Sequence, residues 1–414
     1  MTEPIDLSGG EMPLDLIVRD PVRRNDPHPL YHQIREEHPI MAFPDQGQYL
    51  LTRWEDCERV LRDPRFSADL TNRVLPEGAD PVEAGLIETA GNPEFRTLLF
   101  LDPPDHTRIR GLVSKAFTPR TVERLRPHIA EITNEILDEA AEAGRLDVVN
   151  TLGYRVPATV ICELMGVPVA DRDQFGPWAA DASRVLDAEI LTTDELNLSL
   201  FGVMNLLNYF NFLFDERRAE PRDDLVSALL AAEESGDKLS DVELRSIVLL
   251  LFVAGFETTM NLIGNGTWAL LRHPDQLERL RERPELIGPC IEELLRYDGP
   301  VHLTGRIATE ELELADGVVV RPGESVTTLL AAANRDPARF ADPDRLDIDR
   351  SDPRHLTFSH GIHYCLGAAL ARVEGQTAIG ALVSRFDRIE PLEEPSYRDH
   401  FVLRGLNSLE VAVS

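Results

Sequence analysis

Apolar positions recur with helical period along most of this chain, and prolines punctuate them. After Pro119, a good first-turn residue, Val122, Leu125, Ile129, Ile132, Ile136 and Leu137 keep that spacing until Gly144. The spacing predicts one amphipathic helix there and a shorter one over 223–234. Ser240 and Glu243 form a capping-box pattern, which opens a helix predicted over about 240–272 and stopped by His273-Pro274. At 1.5 Å per residue it is roughly 50 Å long. Its middle, Ile247 to Phe256, is apolar on every face, which predicts burial all round and a central position.

Strand signals are fewer and come late. Arg306 to Leu314, the turn Asp316-Gly317 and Val318 to Arg321 predict a hairpin. Phe401 to Leu403 and Leu409 to Val413 predict a second pair, and the Asp/Pro/Arg-rich stretch from Pro337 to Pro353 an ordered meander. The expectation is a mainly α, helix-rich single domain over 1–414 with a minor β subdomain, residues 1–27 forming an N-terminal extension.

Composition narrows the function. The 414 residues are 43% hydrophobic, enough for a large core, and 42 basic against 72 acidic residues leave a net charge of −30. Nucleic acid and anionic membranes want basic patches, so neither is expected as the main partner. Met1 to Gly10 lacks a basic-then-apolar signal, and the run Ile247 to Phe256 is too short to cross a bilayer, so no membrane anchor is expected. Cys57, Cys162, Cys290 and Cys365 show no paired spacing, which points to a reduced, cytoplasmic compartment.

The richest segment runs from Phe358 to Gly367, the loop Phe358-Ser359-His360-Gly361-Ile362-His363-Tyr364-Cys365-Leu366-Gly367. Helical pattern resumes at Ala368, so Cys365 stands at or just before a helix N-terminus, where unpaired N–H groups and the macrodipole favour a thiolate. Gly361 and Gly367 permit a tight turn and close approach of a flat ligand. On chemistry alone three readings stand: a haem thiolate, a buried inert cysteine, or zinc held by His355, His360, His363 and Cys365.

The pattern Phe358-x-x-Gly361-x-His363-x-Cys365-x-Gly367 resembles the haem-binding signature of the cytochrome P450 family. Three further segments match in order: His106-Thr107-Arg108-Ile109-Arg110, then Ala254-Gly255-Phe256-Glu257-Thr258-Thr259, then Glu293-Leu294-Leu295-Arg296. The similarity runs from about His28 to the end, and the chain looks like the soluble bacterial type.

The resemblance implies haem b with Cys365 as its axial ligand and Phe358 packed beside the sulfur. Gly255 would leave room for dioxygen, while Glu257 and Thr258 would relay protons, unless Thr258 merely bonds a carbonyl one turn back. His106, Arg110, Arg306 and His363 match positions that meet the haem propionates. Glu293 and Arg296 become a buried structural pair, with Arg345 of the meander as third member. Substrate-facing residues should come from Phe95 to Phe100, Val253, Ala254, Val301 to Leu303, Val402 and Leu403, with His302 as an occasional polar group. The helix pair between Leu186 and Phe214 should form an apolar lid.

The implied activity is monooxygenation, inserting one atom of O₂ into a hydrophobic small molecule. Electrons would come from a ferredoxin-type donor with its reductase, docking over Lys115 and Arg120 near Arg372, and the chain would be a monomer. From His106 to Arg126, six basic residues face one acid, Glu123, a basic island in an acidic chain. The rivals are a peroxide-driven peroxygenase, which tends to lose the acid–Thr pair retained here, and a haem-binding sensor without turnover.

Overall fold

A long helix, Asp241–Leu271, organises the molecule. The computed structural model describes residues 15–414 apart from 79–80, 93–95, 116, 235–236 and 401. The helix opens with the full capping box: Ser240 Oγ accepts the Glu243 N–H, and the Glu243 carboxylate accepts the Ser240 N–H at 2.8 Å. Burial differs from the expectation. The stretch closed on every side is 259–267, which includes Asn261, Asn265 and Thr267. Within the apolar run, Phe252 and Phe256 are buried but Val253 is only half-buried and Ala254 exposed. The run therefore has an open face at Val253 and Ala254. An 18-residue window of this helix is apolar enough to cross a membrane, longer than the run alone suggested, but 61% of that window is buried inside the fold.

The periodic segment after Pro119 divides into two helices, Pro119–Glu123 and Arg126–Ala143. Pro127 has no N–H to give the Glu123 carbonyl, so the ladder breaks there. Gly144 ends the second helix in the left-handed conformation, φ 67°. The predicted helix over 223–234 shortens to Leu225–Ala231, capped by Asp224, which accepts the Ser227 N–H at 2.7 Å.

The late strands pair otherwise than expected. Thr304–Ala308 leaves the predicted hairpin for a five-stranded sheet, antiparallel to Ser325–Thr328 with Thr327 opposite Gly305. That strand also runs parallel to Gln48–Leu51. Only Leu312–Glu313 and Val319–Val320 form the hairpin, around Asp316 and Gly317, both at positive φ. Exposed Thr309, Glu310 and Glu311 separate the two pieces.

Glu410–Val413 pairs with Ile389–Pro391 and Arg145–Asp147, not with the 401–403 segment, whose Phe401 lies outside the described residues. Leu403 instead bridges Val301, and Tyr397 bridges Leu406. Part of the N-terminal extension is built in: the Arg24 and Asn25 carbonyls accept Arg404 at 2.6 and 3.0 Å. The meander from Pro337 to Pro353 consists of turns and bends, as its composition predicts.

Candidate active site

The cysteine loop ends in the helix Ala368–Arg385. The Cys365 N–H bonds the Phe358 carbonyl at 2.9 Å, closing the loop on itself. Gly361 is required: its φ is +68°, and a Cβ there would stand 2.5 Å from the Leu61 carbonyl oxygen. A Cβ on Gly367 would meet nothing within 4 Å, so that side of the loop admits a flat group. Burial pushes the Cys365 thiol up, opposed by the N–H groups of Gly367 and Ala368 and by Arg110 and Arg372. The helix-terminal N–H groups thus act on the thiol in the expected direction, against burial, and a bound metal cation would complete the effect, since coordination deprotonates a thiol. Cys57, Cys162 and Cys290 are fully buried, leaving Cys365 as the one free cysteine with partial exposure.

Four donors converge beside the loop. The rings of His106 and His363 lie 4.4 Å apart, and both nitrogens of His106 and Nε2 of His363 are buried without a partner. Burial, then Arg306, His106 and Arg110, push His363 down to about 3. Arg306 is buried and held down to about 10 by that burial, and its Nη1 donates to Thr304 Oγ1 at 3.3 Å and to the Gly305 carbonyl at 2.7 Å. Arg110 donates to the Tyr364 carbonyl. Such a set of buried donors calls for an anion with several oxygens, and carboxylates such as haem propionates meet that demand. The residues present therefore fit haem.

The open face of the central helix carries Ala254 and Thr258, one turn apart. Thr258 Oγ1 donates to the Ala254 carbonyl at 2.6 Å, so the back-bonded geometry is the one present. Glu257 is 2% exposed and turned toward Arg398, whose Nη1 donates to Oε1 at 3.0 Å, while Oε2 has no partner. A Cβ on Gly255 would make an ordinary 3.5 Å contact with Ile161, so an added side-chain atom there would meet protein without a clash. Behind the helix, Glu374 is buried against Thr259, and burial pushes it up to about 8.

The cytochrome P450 family model matches residues 68–410. The chain belongs to the cytochrome P450 family. It is 41% identical to cytochrome P450 107B1 of Saccharopolyspora erythraea, with 98% of this chain and 99% of the relative covered. It is 42% identical to the vitamin D(3) 25-hydroxylase of Pseudonocardia autotrophica, with 94% of each covered. Among solved structures, ligand-free CYP164A2 of Mycobacterium smegmatis superposes with a TM-score of 0.87 at 39% identity, covering 97% of this chain and 99% of that one. The protein is thus a mainly α P450 that binds cysteine-ligated haem b and catalyses monooxygenation of a small molecule with O₂.

The zinc alternative is overturned: among the described residues no three ligand-type side chains group together. His355 faces Glu292 at 3.4 Å and His360 faces Glu58 at 3.6 Å. Burial would raise Glu292, but His355 and Arg372 hold it at about 2. Arg372 also lies over the Phe358 ring, 4.6 Å from its centroid.

In this P450 the Glu293–Arg296 pair is fully buried and bidentate, both bonds 2.8 Å. The third side chain is Arg350, whose Nε reaches Glu293 at 3.0 and 3.2 Å, and not Arg345. Arg345 contributes its carbonyl, while its guanidinium is exposed beside Asp347. The pair reaches the cysteine loop through Asn334. Arg296 bonds the Asn334 carbonyl at 2.9 Å, and the Asn334 side chain takes the Leu356 N–H at 2.7 Å and meets Thr357 Oγ1 at 2.9 Å.

The pocket residues separate. Val253, Val301, Leu303 and Val402 are all half-buried. His302 turns inward, bonding the Tyr31 hydroxyl at 2.9 Å, and burial pushes it down to about 3. Its Nε2 is buried without a partner. Phe95 lies outside the described residues. The segment expected as a helix pair is a short 3-10 stretch, Arg184–Ile190, and one long helix, Thr193–Ala219. In that helix Leu206, Phe210 and Leu213 are core, whereas Phe201 and Phe212 are well exposed.

Sequence reasoning missed Arg350, Arg398 and Glu374. A buried carboxylate in an apolar run calls for a cation, but nothing local singled out Arg398, which lies 141 residues from Glu257.

Proposed function

We propose that Cys365 ligates the iron, that His106, Arg110, Arg306 and His363 hold the propionates, and that Phe358 shields the sulfur. The observation that carries this reading is the cluster of buried, partnerless imidazole nitrogens beside a cysteine loop with an open face. When bound, the haem supplies reductive activation of O₂. The chain's own residues bind and orient: the loop amides of Gly367 and Ala368 face the sulfur, and two arginines with two imidazoles fix the ring's anionic edge.

Thr258 and Glu257 move protons in this reading. The Thr258 hydroxyl stands on the open face, and Glu257, with Oε1 bound by Arg398, keeps Oε2 for a water or proton. The substrate is a hydrophobic small molecule bordered by Val253, Ala254, Val301, Leu303 and Val402. The enzyme works as a cytoplasmic monomer. A ferredoxin with its reductase delivers electrons over Lys115 and Arg120, which are exposed. The basic island is smaller than its sequence count, because Arg126 pairs with Glu123 and Arg108 with Glu243.

Turnover under ¹⁸O₂ with ferredoxin, reductase and NADPH should place one labelled atom in the product of an apolar ligand found by optical titration. Thr258→Ala should keep ligand binding and divert NADPH to peroxide or water; unchanged coupling would reduce Thr258 to a structural hydroxyl. Turnover with peroxide alone, and none with NADPH, would favour the peroxygenase reading.

A further inference from the structure

Beside the cysteine loop, four side chains to which the reaction assigns no task meet one another. Arg372, early in the helix Ala368–Arg385, makes a bidentate pair with Glu292 of the helix Ile287–Asp298. Its Nε reaches Oε1 at 2.6 Å and its Nη2 reaches Oε2 at 2.9 Å. Arg372 Nη1 also donates to the hydroxyl of Tyr364, the residue before Cys365, at 3.2 Å. His355 completes the group, its Nε2 3.4 Å from Glu292 Oε2 and its ring 5.5 Å from that of Phe358.

Stability gives little reason for such a pair. Its side chains keep 28% and 26% of their surface exposed, and ion pairs so placed contribute little to folding. Its location is the telling feature. The guanidinium lies over Phe358, the ring assigned to the sulfur, and its charge is one of those that pull the Cys365 thiol down. Bonds to Glu292, Tyr364 and the Ala368 carbonyl fix where that charge stands.

We propose that the Arg372–Glu292 pair tunes the reduction potential of the haem, with Arg372 raising it, Glu292 limiting the rise, and Tyr364 and His355 positioning the two charges. The inference rests on Cys365 as the iron ligand. One-electron reduction adds a negative charge to the thiolate-ligated centre, which a neighbouring cation favours and an anion opposes. The two partners therefore act with opposite signs on the potential. On stability they act with the same sign, because removing either one breaks the same contact. That difference separates a tuning pair from one that only holds the loop.

Potentiometric titration of the haem-loaded, substrate-free protein tests this, with small-molecule mediators and no ferredoxin, so that donor docking does not enter. At pH 8 His355 stays neutral, because burial pushes it down. The red-shifted carbon monoxide band reports thiolate ligation in the parent and in each variant. Arg372→Gln should lower the ratio of reduced to oxidised haem at fixed potential about tenfold, a fall of ~59 mV for one electron. Glu292→Gln should raise that ratio about threefold. Arg372→Lys, which keeps the charge, should stay near the parent, and so should Arg372→Gln combined with Glu292→Gln. Shifts of one sign in the two single variants, or no shift in either, overturn the inference and leave the pair a brace for the loop. Should Arg372→Gln lose the band, the contrast between Arg372→Lys and Glu292→Gln decides: a rise in the second alone supports tuning, and equal shifts overturn it. A parent without the red-shifted band would overturn the ligand reading of Cys365, and this inference with it.

Discussion

The cysteine side and the lid side of the cleft are built by opposite means. On the cysteine side, desolvated hydrogen bonds set the backbone. All five N–H donors of Arg296 are used, on Glu293 and on the carbonyls of Asn334, Pro343 and Arg345. Asn334 and Thr357 pass that order to the loop that carries Cys365, and Thr357 Oγ1 also donates to the Leu295 carbonyl at 2.6 Å. On the lid side, Phe175, Phe210 and Phe252 form an aromatic cluster with centroids 5.0 to 6.0 Å apart, while Leu198, Phe201 and Met204 face outward. Apolar contact is non-directional and many residues satisfy it. One side is therefore set by directional bonds, and the other by apolar contact that many residues could supply.

The largest expected effect breaks the cysteine side at its purpose. Cys365→His should leave haem bound but abolish both the red-shifted carbon monoxide band and monooxygenation. A surviving band would transfer the ligand role elsewhere.

Removing one partner of the buried pair comes next. Glu293→Ala strands Arg296 and should cost about 3–5 kcal/mol in denaturant unfolding. Arg345→Ala, whose guanidinium is exposed, should stay within about 0.5 kcal/mol. Equal losses in the two variants would refute the assignment of Arg350 as the third side chain. Lid substitutions such as Phe212→Ala, at an exposed position, should behave like Arg345→Ala, which is the contrast the two regions predict.

What could be read in advance follows the same division. The capping box at Ser240, the turn at Asp316-Gly317 and the cysteine loop are local, since their hydrogen bonds close within a few residues. The errors concern partners far apart in sequence. Thr304–Ala308 found Ser325–Thr328, Leu403 found Val301, and Glu293 found Arg350 over Arg345, two arginines five positions apart in the same meander. Glu257 plainly needed a cation, but Arg398 was one arginine among many. The apolar run Ile247 to Phe256 predicted burial all round, but Val253 is half-buried and Ala254 exposed, because hydropathy alone does not say which face of a helix meets packed protein.

Glu374 offers a pH test of the helix interface behind the site. Its ordinary value is 4.5 and burial raises it to about 8 in the fold. Between those values the unfolded chain has lost the proton that the folded protein keeps, so stability falls as pH rises. The slope is at most about 1.4 kcal/mol per pH unit. Glu374→Gln should flatten that slope over pH 5–8 in urea titrations; an unchanged slope would place its origin in another group.

Donor docking should respond to charge and leave the pocket alone. Lys115→Glu with Arg120→Glu should slow reduction by ferredoxin and flatten its salt dependence, with optical ligand affinity unchanged. If rate and salt slope both persist, the donor docks elsewhere.

A last effect lies inside the cysteine loop and has the opposite sign. Ser359 occupies the left-handed region at φ 60°, and its buried Oγ has no partner. A non-glycine residue pays roughly 1–2 kcal/mol for that conformation, and a buried hydroxyl without a partner adds to the cost. Glycine relieves both, offset in part by the greater freedom it gives the unfolded chain. Ser359→Gly should therefore stabilise the protein by about 1 kcal/mol in denaturant unfolding, a gain expected nowhere else in so tightly bonded a region. Destabilisation would mean that the hydroxyl finds a partner in the loaded enzyme, and a shift of the carbon monoxide band in the same variant would locate that partner at the haem.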